Sequence, residues 1–167
     1  PALALAGVSL LGFGLLYSLA GVGLGSVLFP HQAGGSLIER DGKVIGSSLV
    51  AQPFADDRYF QSRPSAAHYD VMALAGSNQA RTNPDLRSRI DEARAAVAAR
   101  EGVTPDAVPS DLVTQSGGGI DPHLSPAAVR IQIARVARAR GLQVDEVERL
   151  VAEHTAAPQF GLLGAPR

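Results

Sequence analysis

A hydroxyl, an imidazole and two carboxylates lie close together in this chain. Ser116-Gly117-Gly118-Gly119 is followed by Ile120-Asp121-Pro122-His123, with Asp111 a few residues upstream. Serine, histidine and a carboxylate are the ingredients of acyl transfer, and a glycine-rich run can turn its backbone N–H groups toward a phosphate. A nucleophile elbow needs glycine two residues before the serine, and Thr114 stands there. No Lys-Ser/Thr pair closes the glycine run as in a P-loop, and no GxGxxG opens a helix. The run therefore reads as a tight turn, with Gly117, Gly119, Asp121 and His123 as its structural residues. An extracytoplasmic, membrane-anchored hydrolase using Ser116, His123 and Asp111 or Asp121 is the competing reading, and it lacks the elbow.

Metal chemistry finds no support. The histidines are His31, His68, His123 and His154, no two at His-x-x-x-His spacing, and the chain has no Cys. The absence of Cys also excludes a disulfide framework and a thiol nucleophile. A net charge of −1, from 15 basic and 16 acidic residues, gives nucleic acid no reason to bind. Arg130, Arg135, Arg138 and Arg140 share one helical stretch, where arginines form a solvated face or pair with Asp145, Glu146, Glu148 and Glu153 further on. Gln132 lies on the same helix face as Arg135, three residues away.

The elements that must position these residues are legible. Asn83 and Pro84 predict an N-cap and first turn for a helix stopping near Gly102, with Leu86, Ile90, Ala93 and Val97 inward. Ser125-Pro126 opens a second helix that ends at Gly141, with Val129, Ile133 and Val136 on one face. A third runs from about Val144 to His154, with Val147, Leu150 and Val151 inward. Asp41-Gly42 between β-branched residues predicts a hairpin of Ser36-Leu37-Ile38 with Lys43-Val44-Ile45. Ser47–Phe54 is expected to continue as a strand, and Leu112-Val113-Thr114 to be extended.

Ahead of all this lies a different material. No Asp, Glu, Lys or Arg occurs before Glu39, so every charge falls in residues 39–167. Residues 2–29 are apolar apart from Ser9, Tyr17, Ser18 and Ser26. About 20 apolar residues suffice to cross the hydrocarbon core, and a signal-peptide core is only about 7–15. The expected organisation is a transmembrane helix at 2–29, a flexible joint at 30–35 and a soluble domain at 36–167. The fold class is α+β, a helix-rich soluble domain preceded by a single N-terminal transmembrane helix. Gly21 and Gly25 form a GxxxG spacing, which lets a neighbouring membrane helix approach closely.

The order of blocks is distinctive: Tyr59-Phe60-Gln61-Ser62-Arg63-Pro64-Ser65-Ala66, Tyr69-Asp70, Ser77-Asn78, Asn83-Pro84-Asp85-Leu86, Pro109-Ser110-Asp111-Leu112-Val113-Thr114, Asp121-Pro122-His123-Leu124-Ser125-Pro126, and Gln132 through Gly141. A membrane helix followed by these blocks resembles, along the whole chain, the C subunit of the bacterial Kdp-type potassium-transporting P-type ATPase. Departures include Ser116-Gly117-Gly118-Gly119-Ile120 for the usual Ser-Gly-Ser-Gly-Leu, and Ala80-Arg81 where Gly-Pro is common. The resemblance implies a non-catalytic subunit of a high-affinity potassium import pump in the bacterial inner membrane, needed for its assembly and function. Its implied partners are a potassium-channel-like subunit, a P-type ATPase subunit and a small membrane peptide, all in the lipid bilayer.

The resemblance also implies a catalytic chaperone that raises the ATP affinity of the ATPase subunit, with the position matching Gln132 contacting nucleotide. No cofactor is expected to bind firmly, and ATP enters only through the complex. A second family-level account makes the domain an extracytoplasmic cap over the potassium entrance. The chain lacks the Asp-Lys-Thr-Gly-Thr phosphorylation motif. Arg40 and Lys43, the only cations just after the span, are offset by Glu39 and Asp41, which leans toward export of the domain.

Overall fold

A computed structural model describes residues 1–167 as two compact units, Pro1–Leu49 and Val50–Arg167. The chain combines helix (47%) with one small sheet (7%), as the patterning predicts, the rest being turns and irregular segments. In the first unit one helix, α1, runs Ala2–Leu28, long and apolar enough to cross a membrane. Its stretch Leu10–Leu16, carrying Gly12 and Gly14, is wound as a π-helix. Gly21 and Gly25 lie in the regular α-helical part, and at neither would a Cβ meet any atom within 4 Å. Phe29 ends the helix, because Pro30 disfavours helical backbone in the residue before it. A four-residue helix, α2 (Pro30–Ala33), follows.

The predicted hairpin is present. Strand β1 (Leu37–Arg40) pairs antiparallel with β2 (Lys43–Ser47), with a bulge at Ile38/Glu39. Asp41 and Gly42 both have positive φ, 53° and 72°, as a primed two-residue turn requires. The expected strand over Ser47–Phe54 does not form: β2 stops at Ser47, whose hydroxyl accepts from the Leu49 amide and folds the chain into a turn. Beyond it, the Ala51 amide donates to the Ile120 carbonyl.

The second unit is built on helices. Helix α3 (Pro84–Glu101) starts where predicted, with the Asn83 side chain accepting from the Asp85 amide, and ends on Gly102 in the left-handed conformation. Leu112-Val113-Thr114 is not extended. The Ser110 carbonyl accepts from the amides of Val113 and Thr114 and from the Thr114 hydroxyl, which winds the segment into a 3₁₀ turn. This turn sets Leu112 and Val113 into a core with Val97, Ala98, Val108 and Ala128. A second core joins Ile133, Val136 and Ala137 to Val147.

The helix predicted from Ser125 to Gly141 is broken in two: α4 (Pro126–Arg130) and α5 (Ile133–Arg140). Its ends are as expected, a Ser125 cap onto the Ala128 amide and Gly141 at φ 67°. The break has a local cause. The Ala128 carbonyl, the normal partner of the Gln132 amide, accepts the Gln132 side-chain amide instead. The Gln132 backbone N–H then bonds the Val129 carbonyl, tightening the turn. Helix α6 (Val144–Glu153) completes the domain.

Candidate functional site

Gln132, at the break between α4 and α5, has no exposed surface and is one of the two largest fully buried side chains. Its Oε1 accepts from the Gln61 amide at 2.7 Å and from Arg135 Nη2 at 2.9 Å. Its Nε2 donates to the carbonyls of Gln61 at 3.3 Å and Ala128 at 3.1 Å. A glutamine amide has two acceptor positions and two donors, so all four are occupied. The side chain thus grips both polar groups of residue 61, as the next strand of a sheet would. In this arrangement it offers a nucleotide no free hydrogen-bonding position.

Arg135 extends the grip. Nearly fully buried, it donates from Nη1 to the carbonyls of Asp57 and Tyr59, and from Nε to Glu101 Oε2 at 2.9 Å. Glu101, the last residue of α3, also accepts from Arg100 at 2.6 Å. A buried ion pair adds little net stability against an apolar replacement, but its fork geometry fixes where the backbone lies. One turn on, Arg140 Nε donates to the Arg58 carbonyl at 2.7 Å. The carbonyls of residues 57, 58, 59 and 61 are therefore all held by side chains from the α4–α5 segment. This corrects the sequence-based pairing: Arg135 meets Glu101 of α3, and no arginine of α5 forms an ion pair with the acidic residues of α6.

The fixed loop presents a surface. Phe54 and Tyr59 stack at 5.0 Å between centroids, and the Arg140 guanidinium lies 5.2 Å over the Tyr59 ring. Arg58 folds back on Asp56, and its hydrogen bonds hold that carboxyl at about 2, well below the usual range. Beside the loop, a groove of about 760 Å³ runs between residues 58–60, residues 122–126 and helices α5 and α6. Leu150, expected inward, is 43% exposed and lines this groove, while Val147 is buried beneath it.

The glycine turn is positioned differently from a catalytic loop. Ser116 is buried, its amide donates to the Pro64 carbonyl, and it forms no hydrogen bond with His123. Asp111 Oδ2 accepts from the Ser125 amide, fixing the entry to α4. Asp121 Oδ1 accepts from the His123 amide at 3.0 Å and meets His123 Nδ1 at 3.1 Å, while Oδ2 accepts from Arg63 at 2.9 Å. Burial pushes the Asp121 carboxyl up, but the bonds from His123 and Arg63 outweigh it and hold it below the ordinary carboxylate range. The hydrolase constellation is thus not assembled.

Gly119 has φ 78°, and a Cβ there would stand 2.9 Å from the Ala75 carbonyl oxygen. Gly117 has ordinary backbone and open space, but its own carbonyl abuts Gly76, where a Cβ would sit 2.9 Å away. Sequence reasoning missed the grip on residues 57–61, because its partners lie more than 70 positions apart. The one available signal was the i, i+3 spacing of Gln132 and Arg135.

Residues 1–167 match the family model described as "K+-transporting ATPase, c chain". The chain is 62% identical over 164 residues to the "Potassium-transporting ATPase KdpC subunit" of Xanthomonas campestris pv. campestris (strain B100), spanning 98% of this chain and 78% of that relative. It is 50% identical over 170 residues to the protein of that name from Methylococcus capsulatus (strain Bath), covering 100% and 90%. The protein of that name from Sorangium cellulosum is 51% identical over 160 residues, covering 92% and 82%.

Proposed function

Because this chain belongs to the family of the K+-transporting ATPase c chain, we propose that it is a non-catalytic subunit of a potassium import pump, working outside the cytoplasm by protein contact. It is held in the inner membrane by α1, and its second unit docks on the pump as an assembly and ion-access element. Its partners in this reading are a potassium-channel-like subunit, a P-type ATPase subunit and a small membrane peptide. The observation that carries the reading is the closed Gln132 amide: the residue offered for nucleotide contact is spent, in all four positions, on holding the chain's own loop. Any influence on ATP affinity then passes through subunit contacts. Ser116 and His123 form no nucleophile–base pair, and only Arg40 and Lys43 stand within about 15 residues after Leu28, a sparse cationic flank that favours export of the domain.

Sidedness tests this directly. Ser77 is exposed and the chain has no Cys, so Ser77→Cys gives a single reporter thiol. In cells with a sealed inner membrane, an impermeant thiol reagent is expected to label it from outside. Protection until the membrane is opened would place the domain with cytoplasmic ATP and restore the chaperone account.

A further inference from the structure

We propose that the groove between the 58–60 loop and helix α6 is the seat of an apolar, acid-bearing segment of another pump subunit. The inference rests on the reading above, since it supplies the contact through which an accessory subunit acts.

Three observations carry it. The first is charge. The groove's ionisable lining is basic, with Arg58, Arg140 and His154 among it and no Asp or Glu side chain. Arg58 is neutralised by Asp56, and His154 Nδ1 is engaged by the Leu150 carbonyl. Arg140 is different: it meets a carbonyl and an aromatic face and closes no ion pair, the Asp56 carboxylate acting on it only at longer range. A carboxylate arriving with a partner would pair with it away from bulk water, where a charge-assisted bond is strongest. The acidic residues Asp145, Glu146 and Glu153 of α6 do not line the groove, and the carboxylates near its wall are already engaged, Asp56 by Arg58 and Asp121 by Arg63 and His123.

The second is apolar surface. Phe60, Leu124, Leu142 and Val151 are half-buried along the groove, and Leu150 stands open above them. An uncovered apolar channel beside an aromatic–arginine cluster has the composition of an interface centre, rich in Tyr, Phe and Arg. The third is rigidity. A buried Glu–Arg–Gln network is a poor way to gain stability, yet here it fixes the backbone of an exposed loop that carries Arg58 and Tyr59. Fixing the loop in advance removes an ordering cost that a partner would otherwise meet. The family to which the chain belongs supplies the occupant class, since a pump subunit has other subunits to bind.

Helix α6 provides its own control. Leu150 and Val144 are equally exposed at 43%, but only Leu150 lines the groove. The test uses the full chain expressed with the whole pump, solubilised and captured by a tag on the ATPase subunit. Leu150→Gln and Arg140→Gln are each expected to lower retention of this chain at least about tenfold, as loss of an interface anchor does. Val144→Gln should leave retention unchanged, and Leu150→Gln and Val144→Gln should both melt within about 2 °C of the parent, as surface changes do.

Equal retention of Leu150→Gln and Val144→Gln overturns the groove assignment. A photo-crosslinking residue at position 150 names the occupant. Attachment to another pump subunit supports the proposal, whereas attachment to lipid, to a second copy or within the same chain refutes it. If the parent chain itself fails to co-purify with the pump, the accessory-subunit reading falls with it. If the parent binds and Leu150→Gln binds equally, only the groove assignment fails.

Discussion

Replacing Gln132 by Ala separates a structural amide from a nucleotide-contacting one. In the folded chain the substitution strips partners from the Gln61 amide and carbonyl and removes one acceptor from Arg135. The Ala128 carbonyl does not suffer, because the residue 132 backbone N–H can return to it and restore the helical bond. Two partly buried backbone groups left unpaired cost about 1–3 kcal/mol each, and the vacated amide leaves a cavity. Residual water access near Gln61 offsets some of this, so the net loss is about 2–4 kcal/mol. For a unit of about 118 residues, Val50–Arg167, each kcal/mol moves the melting temperature by about 4 °C. The expected shift is therefore about 8–16 °C downward, read as loss of helical ellipticity of the intact chain in detergent. ATP dependence of complexes that still assemble should be unchanged. A melt within about 2 °C of the parent, together with a weakened response of the assembled pump to ATP, would refute the argument.

Gly119→Ala should destabilise by about 2–3 kcal/mol, since it imposes a Cβ at positive φ and against the Ala75 carbonyl, whereas Gly117→Ala should be near neutral; thermal melts of both distinguish them. Asp121 is held below its unfolded value, so its contribution is present above the ordinary carboxylate pKa and is lost as pH falls through the lower folded one. Melts across the acid range should show that loss in the parent and a shallower slope in Asp121→Asn, and equal slopes would contradict the assignment. In the membrane helix, Gly21→Leu with Gly25→Leu should insert normally but reduce co-purification with the pump's other subunits, because the face for close helix approach is filled. Undiminished co-purification would mean that no helix packs there.

Much of the architecture was decided locally, and local rules found it. The membrane helix follows from 28 residues without a charge. Asn83, Pro84, Ser125, Pro126, Gly102 and Gly141 fix helix ends through capping and through the freedom of glycine at positive φ, and each acts within one turn. Asp41-Gly42 fixes the hairpin in the same way. Where the sequence-based expectation missed, a side chain had redirected a backbone hydrogen bond. The Thr114 hydroxyl and two amides converge on the Ser110 carbonyl and remove a strand, and the Gln132 amide breaks a helix that periodicity alone would run unbroken.

The sequence by itself determined an apolar span, a helix-rich domain and an ordered set of blocks that match one family. It also set Gln132 and Arg135 three residues apart, close enough to touch. Only the tertiary structure decided what that pair does. Whether a buried amide faces a ligand or its own chain depends on which backbone comes to lie beside it, and here residues 57–61 do so from more than 70 positions away. Glu101 reaches Arg135 from the far end of another helix for the same reason. Contacts at that separation depend on how the two small cores bring α3, α4, α5 and α6 together, and no periodicity or spacing encodes them.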